Sequence, residues 1–121
     1  MTDETRHEAV PLTLELDGAQ SYQALLGGRP QTWGMRSGHV ALKPGGEIGL
    51  HSTKQHEESL VFLEGTGIVR LDGQEPLAVG AGRVAYVPPY TGHNVVNTGK
   101  SVLRYIYVVA PVPGLSADEH P

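Results

Sequence analysis

Sixteen glycines and nine prolines are distributed along 121 residues, and no run of ten or more residues between them shows a helical period. Inside a helix, proline costs roughly 3 kcal/mol and glycine about 1 kcal/mol relative to alanine. Both are suited to turns, where proline presets φ and glycine supplies positive φ. Between these punctuation marks lie short apolar runs of the length and spacing of strands in a sandwich or barrel. They are Trp33–Leu42, Ile48–Thr53, Ser59–Leu63, Gly67–Leu71, Leu77–Val79, Val84–Val87, His93–Asn97 and Leu103–Val109. Val10 to Leu16 alternates weakly and reads as an edge strand, and Ser21 to Leu26 allows a short helical turn at most. Asp72-Gly73 is a two-residue hairpin signal, because both residues tolerate the positive φ of such turns. The expectation is one all-β domain over 10–110, flanked by tails at 1–9 and 111–121. About eight antiparallel strands close as a jelly roll or barrel, which limits exposed sheet edges. Length and strand count alone also permit an immunoglobulin-like sandwich.

Composition removes several function classes. Nine Lys and Arg against thirteen Asp and Glu, scattered along the chain, argue against nucleic acid as a partner, since phosphates reward a clustered basic face. No apolar run approaches the ~18 residues needed to span a bilayer, so no membrane partner is expected. The polar, acidic start Met1-Thr2-Asp3-Glu4 does not resemble a signal peptide, and the cytoplasm is the default expectation. The absence of cysteine excludes disulfides, thiolate metal sites and a cysteine nucleophile. A metal ion must therefore be held by His, Asp or Glu, and six histidines are available.

Two segments carry the chemistry. In the first, Gly45 is followed by five residues and His51; Thr53 stands two positions on, Glu58 follows after four more residues, and Gly65 after a further six. This resembles the first cupin motif, with Thr53 where the motif has its second histidine. In the second, Gly82 is followed by five residues, Pro88-Pro89-Tyr90, two residues, His93, three residues and Asn97. This resembles the second cupin motif, with Tyr90 in place of a glycine. The resemblance extends over about Val40 to Val109. It implies a double-stranded β-helix, or jelly-roll barrel, with a metal held by histidines and a carboxylate.

Strand geometry supports the same site. Alternate side chains share a face, so His51 and Thr53 point together, and Glu58 points with Leu60 and Phe62 while Val61 and Leu63 point away. Two imidazoles and a carboxylate converging in an apolar interior are costly without a cation. With one, they match the two-histidine, one-carboxylate set that suits iron, manganese, nickel or zinc. The expected ligands are His51, Glu58 and His93, with His56 as a candidate replacement for the histidine missing at position 53; the alternative for His56 is a solvated loop position. His39 reads as structural, and His7 and His120 as solvated.

Phe62, Tyr86 and Tyr105 are candidates for contacting a small-molecule substrate, as are Tyr90 and Tyr107 for lining a cavity, although a barrel aromatic also serves as core. Arg36 could meet an anionic ligand or simply lie on the surface. Outward-facing Val61 and Leu63 need cover, which suggests a homodimer with Val10 to Leu16 as an exchanged or edge strand. The resemblance leaves two functions open. One is a metal-dependent enzyme acting on a small polar or carboxylated metabolite. The other is a non-catalytic ligand-binding or sensor domain with a structural or vestigial metal site.

Overall fold

A computed structural model describes residues 9–115, and every regular element among them is a strand. In chain order the strands are β1 (Tyr22–Gly27), β2 (Arg36–Leu42), β3 (His56–Glu64), β4 (Thr66–Leu71), β5 (Gln74–Gly80), β6 (Val84–Val87), β7 (His93–Asn97) and β8 (Leu103–Pro111). They form a five-stranded sheet ordered β1-β2-β8-β3-β6 and a three-stranded sheet ordered β5-β4-β7. All pairings are antiparallel.

The two-residue period of β3 decides what the large sheet turns inward. Glu58, Leu60 and Phe62 are buried, while Ser59 and Val61 are only partly covered. In register across β8, Leu60 meets Tyr107 and Phe62 meets Tyr105. The Phe62 and Tyr105 rings lie 5.1 Å apart, a tilted contact. Val69, Val79 and Val95 close the core from the small sheet. Leu60, Leu103 and Val69 are fully buried, each contributing about 1.5–3 kcal/mol of transfer free energy. Gly65 lets the chain leave one sheet for the other. It has φ +90°, and a Cβ there would collide with the Val102 carbonyl and with Leu103 Cα at 2.8 Å.

Three expected elements differ. Ser21 to Leu26 is no helical turn: Tyr22 to Gly27 pairs along β2, with Tyr22 opposite Val40 and Ala24 opposite Gly38. Tyr22 and Ala24 share a face at the strand period before the register shifts between Ala24 and Leu26, and pairing outweighs local propensity. Ile48–Thr53 forms no strand. Along β7 it makes the isolated bridge His51–His93, with a second, Glu47–Val96, just ahead of it. Gly49 between them takes φ +103° and gives its N–H to Asn94 Oδ1 at 2.8 Å, which interrupts a ladder. Val10 to Leu16 joins neither sheet, and Val10, Leu12, Leu14 and Leu16 are exposed. The hairpin at Asp72-Gly73 is as expected, with Leu71 opposite Gln74. Pro111 closes β8 opposite His56, whereas His7 and His120 lie outside the described residues.

Candidate metal centre and ligand cavity

Three side chains from three parts of the chain converge at one end of the interior. Glu58 enters from β3, His93 from the start of β7, and His51 from the irregular segment bridged to it. The backbones of His51 and His93 exchange two hydrogen bonds, of 3.0 and 2.8 Å. That exchange sets their rings 4.3 Å apart. One donor atom from each of His51, Glu58 and His93 lies within 4.8 Å of the others. Glu58 and His93 are buried and His51 is exposed, so the cluster is walled on one side and open on the other.

The tautomers follow from the backbone. His51 Nδ1 lies 2.9 Å from the Gly49 carbonyl, and His93 Nδ1 lies 2.9 Å from the Thr91 carbonyl. A carbonyl can only accept, so each ring carries its proton on Nδ1 and presents a lone pair on Nε2. This is how outer hydrogen bonds orient ligating histidines. His93 Nε2 then faces Glu58 Oε1 at 2.8 Å, and Oε1 is a buried acceptor with no donor. Two lone pairs at that distance need a proton or a metal ion between them. Burial opposes a second proton on His93. The Glu58 hydrogen bond, the Thr91 carbonyl and the Glu58 charge together outweigh it and raise the pKa. The donor set of two imidazoles and one carboxylate fits a first-row divalent ion.

The cluster forms one end of a cavity of about 460 Å³. Thr53, Leu60, Val95 and Tyr105 lie along it, and Tyr22, Arg36 and Tyr107 form its far end. The Tyr22 and Tyr107 hydroxyls are 2.7 Å apart. Burial, followed by the Tyr22 hydrogen bond, raises the Tyr107 pKa, so its phenol stays protonated. Tyr105 is raised likewise, by burial and then by the Glu58 charge.

The sequence candidates separate accordingly. His56 is not in the donor cluster; its Nδ1 lies 3.1 Å from the Thr53 carbonyl, while Thr53 Oγ1 donates to the His56 carbonyl at 3.0 Å. Phe62 is core and does not line the cavity. Tyr86 lies on the opposite face of the sheet, donating to Glu57 Oε1 at 2.9 Å. Tyr22 escaped the sequence reading because its segment read as a turn of helix; the short alternation Tyr22-Gln23-Ala24 was the available signal.

The family model for the cupin domain matches residues 38–109. The chain belongs to the cupin family. Among curated proteins none matches this cupin. A predicted oxalate decarboxylase from Thermotoga maritima is similar at 26% identity and TM-score 0.60, over 64% of this chain and 66% of that one. A cupin 2 conserved barrel domain protein from Salinispora arenicola shares 26% identity at TM-score 0.63, over 87% and 89% of the two chains. An RmlC-like cupin family protein from Methanocaldococcus jannaschii, at 20% identity and TM-score 0.68 over 84% and 92%, shows the fold alone. The cupin motifs also gain a physical account here. Tyr90 takes φ +54°, the left-handed conformation that the motif glycine serves, so the backbone turn survives the substitution.

Proposed function

We propose that this cupin holds one divalent transition metal ion on His51, Glu58 and His93 and acts as a metal-dependent enzyme on a small polar or carboxylated metabolite. The observation that carries the reading is the convergence of one donor atom from each of His51, Glu58 and His93 within 4.8 Å, with His93 Nε2 2.8 Å from the buried Glu58 Oε1. Bound there, iron, manganese, nickel or zinc would supply Lewis acidity at the cavity. The chain's own residues do the rest. Gly49 and Thr91 carbonyls orient the imidazoles, and the apolar walls exclude water around a ligand. The protonated Tyr105 phenol stands at the same cavity as a hydrogen-bond donor. Three protein donors are fewer than the four of a closed structural site, and His51 faces solvent.

A non-catalytic ligand-binding role is the second reading, supported by Thr53. Its hydroxyl is committed to the His56 carbonyl and adds no imidazole to the set. Elemental analysis of untagged protein purified without chelator tests the metal. Stoichiometric metal is expected, Glu58→Gln and His51→Ala should lose it, and Thr53→His should tighten it by on the order of tenfold, one step of 1.4 kcal/mol. Metal-free protein that takes up no divalent ion on titration refutes the metal-dependent enzyme and leaves only a binder whose centre is vestigial. Turnover of a small carboxylated metabolite by the loaded protein separates the enzyme from the binder.

We also propose that two copies associate through the outer face of the large sheet. In register on that face stand Val84, Val61 and Ile106, with Val84 68% and Tyr86 55% exposed. Val10 to Leu16, apolar and unpaired, is the segment available for exchange. Light scattering at about micromolar concentration should give a dimer that Val84→Lys splits; a monomeric parent removes the proposal.

A further inference from the structure

The far end of the cavity has no part in the metal centre, yet it is built. Inward-facing residues of the large sheet lie in cross-strand rows, and one row reads Arg36 on β2, Val109 on β8 and Glu58 on β3. Two strand spacings separate Arg36 from Glu58, about 10 Å across the sheet. The next row reads Ala24, Gly38, Tyr107 and Leu60. Gly38 is required there, because a Cβ would stand 2.6 Å from the Tyr107 ring. The glycine lets that ring lie flat on β2, and its hydroxyl reaches Tyr22. Gly28, at φ +84°, seats the Arg36 stem in the same way, with Arg36 Cγ at 3.2 Å from the Cβ position.

Arg36 and the tyrosine pair together leave donors at this end available to an acceptor. Arg36 forms no ion pair among the described residues, although its guanidinium offers five N–H groups. Of the two tyrosine hydroxyls, one must donate to the other, which leaves a single O–H to point at a ligand. The rest of the cavity lining is largely apolar, with Leu26, Val40 and Ile48 in it.

We infer that the cavity takes a small carboxylate whose anionic head lies on Arg36 and the Tyr22–Tyr107 pair, whose apolar body crosses the barrel, and whose other end reaches the His51–Glu58–His93 centre. One guanidinium and one O–H match a planar monoanionic carboxylate, which arginine binds in bidentate fashion. A phosphate dianion would require further cationic donors. The last clause rests on the metal-centre reading; the carboxylate head does not.

The test is therefore run on metal-free, full-length protein. A series of straight-chain monocarboxylates from butyrate to octanoate, each beside its amide, is titrated by calorimetry and by amide chemical shifts. Carboxylates are expected to bind, with shifts at the ends of β1, β2 and β8, and amides to bind at least about tenfold more weakly. Arg36→Met, at an exposed position and so without cost to the core, should lose at least about tenfold in carboxylate affinity, with partial recovery in Arg36→Lys. Tyr107→Phe should lose less, since it removes one donor of the pair. Equal binding of acid and amide, an Arg36→Met variant as tight as the parent, or no carboxylate binding at all overturns the inference. Metal uptake measured on the same Arg36→Met protein keeps the two readings separate, because it should match the parent whichever way the carboxylate result falls.

Discussion

Replacing Asn97 by alanine should cost about 3 kcal/mol of stability, and the sum can be followed bond by bond. The side chain is 1% exposed and fully engaged. Its amide nitrogen donates to the Leu42 carbonyl at 2.8 Å and to the Ser101 carbonyl at 2.9 Å, while its oxygen accepts the Gly99 N–H at 2.9 Å. One residue thus ties the end of β2, the approach to β8 and the turn after β7. Alanine removes all three bonds, each with a net worth of about 1 kcal/mol. For a domain of this length, with an unfolding entropy of about 2.1 cal/mol/K per residue, the loss corresponds to a fall of about 12 °C in melting temperature. Aspartate is the sharper probe. It keeps the Gly99 bond but turns an anion toward two carbonyl oxygens in a buried site, so Asn97→Asp should be less stable than Asn97→Ala despite its closer shape. Urea and thermal unfolding of the three proteins, with coincident transitions by fluorescence and circular dichroism, give the comparison. An alanine variant within about 1 kcal/mol of the parent, or an aspartate variant as stable as the parent, would refute the reasoning.

A second prediction concerns acid. His39 is buried on the outer face of β2 with both ring nitrogens unpartnered, and desolvation, followed by the charge of Arg104, lowers its pKa from the ordinary value of 6.5. A lowered folded-state pKa means that the unfolded chain binds the proton first. The stabilising contribution is therefore full above the ordinary histidine value and is lost as pH falls toward the folded one. Stability measured at about pH 7.5 and about pH 5 should drop less in His39→Leu than in the parent; an unchanged drop would show that His39 is already free to charge.

The local sequence was enough for the strands whose alternation is strong. Glu58, Leu60 and Phe62 against Ser59 and Val61 told which side of β3 is inside, and Val84–Val87 and His93–Asn97 have the bounds that their turn residues imply. The motif spacings likewise singled out His51, Glu58 and His93, which the fold brings within 4.8 Å. Local pattern was weakest where a neighbour outvoted it. Tyr22–Gly27 is a strand because β2 offers it a ladder. Ile48–Thr53 is none because Gly49 turns its backbone out of one.

What the sequence by itself determined, then, was an all-β cupin chain with its histidine and carboxylate candidates at motif spacing, since periodicity and spacing are properties of neighbours along the chain. Only the tertiary structure decided that His56 stands apart from that cluster, and that Tyr22 meets Tyr107 across 85 positions of sequence. It alone placed Arg36 in the same cross-strand row as Glu58. Those relations depend on strand register, in which a shift of one residue would turn every one of these side chains to the opposite face. Register is set by the whole sheet at once and is written in no single stretch of residues.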